Sequence, residues 1–416
     1  MARTDGHWPA IPTDAPRRPP LMRWVAMAGV VVAVTAVGVQ VSRGAERSPS
    51  GAVAATDPST ASTATRATTA PSPAVARTAS GAAPRTLTAT SPRPTGVTPT
   101  SADRAAPVVG VPTAAVPRPV TLAFAGDVHF EGSASAAIGG DLGSAGRLLA
   151  KADLAFVNLE TAITDRGTAV PKQYSFRAPA RALVGLRKAG VDAVSLANNH
   201  GMDYGRVGLA DTLAAGRAAR LPIMGAGRDA AAANRPIRVT MRGVRISLFA
   251  ATDVLDYLDW VATANRSGLA SVKNPARLLA AVRAEQRRAD VVVVMLHWGA
   301  ERVVCPTARQ RDLARRLAAA GADLVVGSHA HVEQPQTRLG RTSVKYGMGN
   351  FVWYSSGGVG ARTGVFTVTL TKAGVRSTAW TPATIRAGRP QVLTGTAARQ
   401  RQAAQAKDFA RCRVDA

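Results

Sequence analysis

Between Val120 and Gly327 the chain repeats one pattern. A short apolar run reads as a buried strand, a polar segment rich in chemically active side chains closes it, and most of these units lead on to a helical run. The strand-like runs are Val120–Val128, Leu154–Leu159, Ala193–Ala197, Val291–Leu296 and Leu324–Gly327. Helical runs cover Ala180–Lys188, Val207–Arg220, Pro275–Arg288 and Ala308–Ala320. The last can open on a Thr307/Gln310 capping box and stop at Gly321. This alternation predicts an α/β fold with largely parallel strands. Two hairpin-like pieces interrupt it, Ile237–Thr240 with Val244–Ala250 and Val365–Leu370 with Val375–Trp380. They predict a second, more antiparallel sheet.

In an open α/β sheet, ligands gather beyond the carboxyl ends of the strands. Five of the six histidines fall there, in Gly126-Asp127-Val128-His129, Asn198-Asn199-His200, Leu296-His297-Trp298-Gly299 and Gly327-Ser328-His329-Ala330-His331. Asn158-Leu159-Glu160 ends a further strand with a carboxylate. Singly, each residue has an ordinary explanation: a helix-capping Asp, a satisfied polar His, an Asn in a left-handed turn, a surface Glu. Together, Asp127, His129, Glu160, Asn199, His200, His297, His329 and His331 read as a metal site. Imidazoles and carboxylates without cysteine favour Mn, Fe or Zn over Ca or Mg. Side-chain alternation along an extended segment would send His329 and His331 to the same side.

The order of these residues resembles that of the calcineurin-like metallophosphoesterases. More narrowly, GDVHFEG, FVNLETAIT, SLANNHGMDYG, MLHWGAE, ADLVVGSHAHVEQP and YGMGNFV together resemble the CapA family of capsule and poly-γ-glutamate synthesis proteins. The resemblance implies a four-layer αββα sandwich of two mixed sheets, with the site at one edge. It implies one or two divalent transition metal ions. Asp127, His129 and His331 would hold one, and Asn199, His297 and His329 the other. His200 would be catalytic, protonating the leaving group or stabilising developing charge, with Asp203 orienting it or capping a helix. The superfamily's bridging residue is the aspartate of a Gly-Asp pair; here Glu160 stands in its place, so either Glu160 bridges or a single ion remains. Gly347–Phe351, Glu301, Arg302, Trp298 and Tyr204 are weaker candidates for the cleft, each with a packing or turn explanation.

The rest of the chain predicts where this domain works. Residues 1–20 form a polar tail and 21–42 a transmembrane signal anchor, within which Trp24–Val41 is eighteen residues without a charge, near the ~20 a bilayer requires. Arg17, Arg18 and Arg23 precede it and place the N-terminus in the cytoplasm; no good small-x-small cleavage site follows. Residues 43–118, rich in Ala, Thr, Ser and Pro, predict a disordered linker with ends roughly 50 Å apart. The folded domain is expected over 119–392 and a basic tail over 393–416. Cys305 and Cys412 would lie on the exported side, where disulfides persist, and either pair or are unrelated thiols.

The formal charge is +26, and basic residues outnumber acidic ones 12 to 5 in residues 1–118 and 40 to 21 beyond. This suits an anionic polymer or cell-envelope precursor as partner, or records an arginine-rich surface. No basic-aromatic motif raises the partner to a nucleic acid. Three function classes follow: a membrane-anchored metal-dependent hydrolase acting in anionic-polymer synthesis or export, a non-catalytic accessory protein binding polymer or a synthase/export complex, and a metal-assisted peptide epimerase.

Overall fold

The computed structural model describes residues 118–354 and 357–414. The expected cytoplasmic tail, anchor and nearly all of the linker lie outside the described residues. Among the described residues, no helix is long and apolar enough to cross a membrane.

The strands of the two large sheets are, in chain order, β1 (Val120–Val128), β2 (Leu154–Leu159), β3 (Ala193–Ser195), β4 (Ile223–Met224) and β5 (Ile237–Met241). They continue with β6 (Val244–Thr252), β7 (Val291–His297), β8 (Leu324–Ser328), β9 (Gln336–Leu339) and β10 (Thr342–Lys345). The last are β11 (Asn350–Val352), β12 (Arg362–Thr371), β13 (Gly374–Arg386) and β14 (Arg389–Val392). The helices that matter below are α1 (Gly143–Lys151), α2 (Arg181–Lys188), α3 (Gly205–Ala218), α4 (Ala276–Gln286), α5 (Ala308–Ala320) and α6 (Gly395–Ala410). One eight-stranded sheet runs β14-β13-β12-β1-β2-β3-β4, with β11 beside β1. A six-stranded sheet runs β9-β10-β8-β7-β6-β5.

Both sheets are mixed. In the first, β1, β2, β3 and β4 are parallel while β12 lies antiparallel to β1. In the second, β6, β7, β8 and β10 are parallel and β5 is antiparallel to β6. The two hairpins therefore do not build an antiparallel sheet of their own. Each supplies one edge of a different parallel core, because β12 and β6 carry apolar residues on both faces and can pair inward.

That double burial sets the layers. In β7, Val291, Val293 and Met295 enter one core while Val292, Val294 and Leu296 enter another. In β1, Leu122 and Phe124 face the first of these cores and Ala123 and Ala125 face a third. Successive side chains of a strand point to opposite faces, so the shared core lies between the sheets. There Phe124 and Phe156 stack with ring centroids 5.2 Å apart. Outside it, α1, α2 and α3 cover the first sheet and α4 and α5 the second, giving four layers, αββα. Burying a side chain such as Phe156 stabilises by roughly 1.5–3 kcal/mol, so a polar residue there would split the sandwich.

α5 spans the predicted residues because its ends are chemically marked. Thr307 and Gln310 form a reciprocal capping box, and Gly321 ends the helix at φ 96°. Past the second hairpin the chain forms α6, which buries none of its residues. It is tied down instead by a Cys305–Cys412 disulfide and an Arg362–Asp408 ion pair at 3.0 Å.

Candidate metal centre

Parallel strands of both sheets end at one edge, and that edge gathers the polar residues. β1 ends at Asp127 and His129, β2 at Asn158 and Glu160, β7 at His297, and β8 just before His329 and His331. Two glycines let the backbones approach. A Cβ on Gly126 would fall 1.7 Å from Gly349 O, and one on Gly327 1.9 Å from Tyr346 O. Only glycine fits before Asp127 and before Ser328, which is why a side-chain-free residue precedes these two ends.

The histidine pair is presented differently from the extended segment expected. β8 stops at Ser328, and His329 and His331 adopt φ 88° and 54°. Two non-glycine residues at positive φ mark stored backbone strain, which clusters at functional sites. The rings still share the cleft, 5.8 Å apart, through this twisted turn rather than through strand alternation.

Glu160 is the centre of the arrangement. It is fully buried, and its Oε1 lies 3.6 Å from His297 Nε2 and 3.6 Å from His331 Nε2. It belongs to two sets of ligand atoms lying within 4.8 Å of one another, Glu160/His297/His329 and Asp127/Glu160/His331. His297 Nε2 also lies 2.8 Å from Asn199 Oδ1, which brings the amide into the first set. His331 Nδ1 faces Asn350 Oδ1 at 2.8 Å and Asp127 Oδ2 at 3.1 Å. The proton therefore sits on Nδ1, and the Nε2 lone pair is left for a ligand.

The fit to divalent ions rests on what is unsatisfied. Glu160 Oε1 and His329 Nδ1 are buried with no hydrogen-bond partner, a costly state that a cation relieves. Burial, with the Asp127 charge beside it, raises the Glu160 carboxyl well above its usual range. Burial and the neighbouring imidazoles hold His297 well below its ordinary value and bring His329 down to about 3. Neutral imidazoles next to carboxylates short of positive charge are the donor set a borderline divalent metal takes.

His129 is placed apart from these sets. Its Nδ1 accepts the Glu131 N–H at 3.0 Å, so the neutral ring carries its proton on Nε2. That Nε2 is buried without a partner. The ring stacks on Phe176 at 4.6 Å and meets the Trp353 edge at 4.1 Å, and burial lowers its pKa to about 3. In this tautomer the buried Nε2–H is a donor without an acceptor.

His200 also stacks on Phe176, at 4.3 Å. Its Nδ1 is 2.7 Å from Asp203 Oδ2, which leaves Nε2 as an acceptor. Burial outweighs the aspartate and lowers its pKa. Asp203 is fully buried and bridges outward. Its Oδ2 accepts the Phe176 N–H at 2.6 Å and its Oδ1 accepts Lys172 Nζ at 2.9 Å. Lys172 also donates to Asn199 O at 2.6 Å and pairs with Asp256 at 2.5 Å.

Asn158 and Lys172 are site residues that the sequence reading did not single out. Asn158 Nδ2 donates to Asp127 Oδ1 at 2.9 Å and Glu160 Oε2 at 3.3 Å, and lies 3.2 Å from His297 Nδ1. Asn198 Nδ2 fixes that amide by donating to Asn158 Oδ1 at 3.1 Å. The signal was present, since Asn158 and Glu160 are two apart at a strand end and so share a face. Lys172 sits in an irregular loop with no period to mark it. Among the weaker candidates, Trp298 is fully buried and donates to Tyr346 O at 2.8 Å, a packing role. Tyr204 lies under the Arg177 guanidinium, 5.1 Å from ring centre to Cζ. Asn350, from the Gly347–Phe351 segment, contacts His331.

The PGA biosynthesis protein CapA of Bacillus subtilis is 37% identical over 169 residues, 40% of this chain and 44% of the relative. A probable polyglutamine synthesis accessory protein of Mycobacterium tuberculosis is 32% identical over 210 residues, 48% of this chain and 55% of the relative. The matches thus span about half the length of these curated relatives. Among solved structures, a novel phosphatase from Mycoplasma pneumoniae superposes with a TM-score of 0.44 at 13% identity, covering 64% of this chain and 94% of that one. A hypothetical protein from Thermus thermophilus gives 0.42 at 21% identity, covering 63% and 98%. The family model described as bacterial capsule synthesis protein PGA_cap matches residues 121–355, more than half of the chain, which belongs to that family.

Proposed function

We propose that this chain is a metal-dependent hydrolase-type enzyme that cleaves or releases an anionic polymer or envelope precursor in capsule or poly-γ-glutamate synthesis. The observation that carries the reading is Glu160 Oε1, without a hydrogen-bond partner and equidistant, at 3.6 Å, from the Nε2 atoms of His297 and His331. Asp127, Glu160 and His331 would hold one ion, and Glu160, Asn199, His297 and His329 a second, with Mn, Fe or Zn the suitable elements. Bound ions would polarise a scissile carbonyl or phosphoryl group and offset the charge of the two carboxylates.

The chain's own residues supply the rest. His200 keeps its proton on Nδ1 against Asp203 and offers Nε2 as a proton acceptor. Lys172 balances the charge of the buried Asp203 and also pairs with Asp256 at the surface, so the dyad carries no net buried charge. His129 offers an Nε2–H donor to an oxygen of the substrate. Asn158 locks Asp127 and Glu160 in register. Phe176 and Trp353 exclude water from both imidazoles, while exposed Tyr174 and Tyr354 and the Arg177 and Arg302 side chains form a rim suited to an anionic chain.

The charge-free segment Trp24–Val41 supports a single-pass anchor holding this domain outside the membrane, with the following linker as tether. The reading is tested with full-length protein on poly-γ-glutamate and on a generic phosphodiester. We expect metal-dependent turnover of one of them and a loss of about 10²–10⁴-fold in His200→Ala. Polymer binding that survives His200→Ala, with no turnover of either substrate by the wild type, points instead to an accessory role.

A further inference from the structure

Glu301 occupies a position that the scheme above does not use. It lies on the loop between β7 and α5, four residues beyond His297, and is exposed. Even so, one of its carboxylate oxygens and one ring nitrogen from each of His329 and His331 lie within 4.8 Å of one another. This is a third ligand set, on the solvent side of the other two. His329, a member of it, is 5% exposed with an unpartnered Nδ1.

The loop is held for this purpose at three points. Arg302, at φ 58°, donates its backbone N–H at 2.8 Å to the carbonyl of Ala330, the residue between the two histidines. Val303 O accepts from Gln334 Nε2 at 2.8 Å. Cys305 is bonded to Cys412 beyond the end of α6. Asp127 and Glu160, by contrast, are fully buried and clamped by Asn158. The site thus has two fixed carboxylates and one on an exposed, tethered loop.

We infer that Glu301 closes the solvent side of the metal centre as a displaceable carboxylate, yielding its place to an anionic oxygen of the substrate, and that the Cys305–Cys412 bridge keeps its loop within reach. This rests on the metal-centre reading proposed above. An internal anion that occupies the site most of the time lowers apparent affinity for an external one by the fraction of sites left open. The geometry fits either a phosphate or a carboxylate group on the incoming ligand.

The test uses full-length wild type, Glu301→Gln, His331→Gln and a Cys305→Ser/Cys412→Ser double variant. Metal content is measured by mass spectrometry, and calorimetry gives the affinity for inorganic phosphate and for glutarate. Glu301→Gln should keep the wild-type metal content and bind one of the two anions about tenfold more tightly; which one identifies the source of the oxygen. The double variant, or wild type reduced with a phosphine should the variant fold poorly, should shift the same way. Metal loss in Glu301→Gln equal to that in His331→Gln makes it a permanent ligand and overturns the inference. So do unchanged or weaker affinities for both anions. An unshifted bridge-free protein removes the part given to the disulfide. Wild type devoid of metal overturns the metal reading and this inference together.

Discussion

Two buried glutamates in this protein stand in opposite environments. Glu285 on α4 is 3% exposed and Glu160 at the end of β2 is 0% exposed. Glu285 brings its counter-charge with it. Arg238 donates to both of its oxygens, at 2.9 and 2.6 Å, and Ser247 donates to Oε2 at 2.7 Å. The Arg238 hydrogen bonds hold its carboxyl below the usual range. Glu160 has Asp127 beside it, an unpartnered oxygen, and a carboxyl raised by burial. Lys172 is the cation that acts on it, and it acts only weakly, already engaged with two aspartates. Glu285 is neutralised by residues of the fold, whereas Glu160 is left for a cation from outside.

Replacing each glutamate or its partner should separate the two roles. The largest effect belongs to Glu160→Gln, which should lower turnover by more than about a hundredfold while leaving the protein folded, as urea unfolding followed beside steady-state kinetics would show. Next is Arg238→Ala, which leaves Glu285 with Ser247 and the looser Arg288 pair at 3.7 Å. It should cost about 1–3 kcal/mol in urea unfolding, discounted because Arg238 is 54% exposed, and leave metal content unchanged. Equal metal loss in the two variants would erase the distinction between them.

The smallest effect is one of pH, in chelator-treated protein. Glu160's folded pKa is raised, so its contribution favours the metal-free fold below its unfolded value near 4.5 and is lost as pH rises through the folded value. Glu285's is lowered, so its contribution is present above that value and lost as pH falls through the folded one. Metal-free Glu160→Gln should therefore melt above metal-free wild type at pH 8 and level with it below pH ~4.5. A difference that grows on acidification would contradict the assigned environment.

How much of this was legible in the residues follows physical lines. Val120–Val128 and Leu154–Leu159 read correctly as β1 and β2 because predominantly apolar runs demand burial on both faces. α5 read correctly because Thr307, Gln310 and Gly321 mark its ends chemically. The grouping of Asp127, Glu160, His297, His329 and His331 was legible because parallel strands deliver their carboxyl ends to one edge. Sheet membership of the hairpins was not, since pairing partners are chosen across the sequence by packing. Lys172 was hidden for the same reason: its partners come from segments 27 to 84 residues away. The tautomer of His129 depends on one backbone N–H, which no pattern of residue types announces.

The claim that the strand-end cluster is a metal centre bridged by Glu160 is tested most directly by counting ions. Native mass spectrometry of full-length protein purified without chelator should find two divalent transition ions per chain in wild type and at most one in Glu160→Gln. A wild-type chain that carries none, and takes up none when Mn, Fe or Zn is supplied, would contradict it.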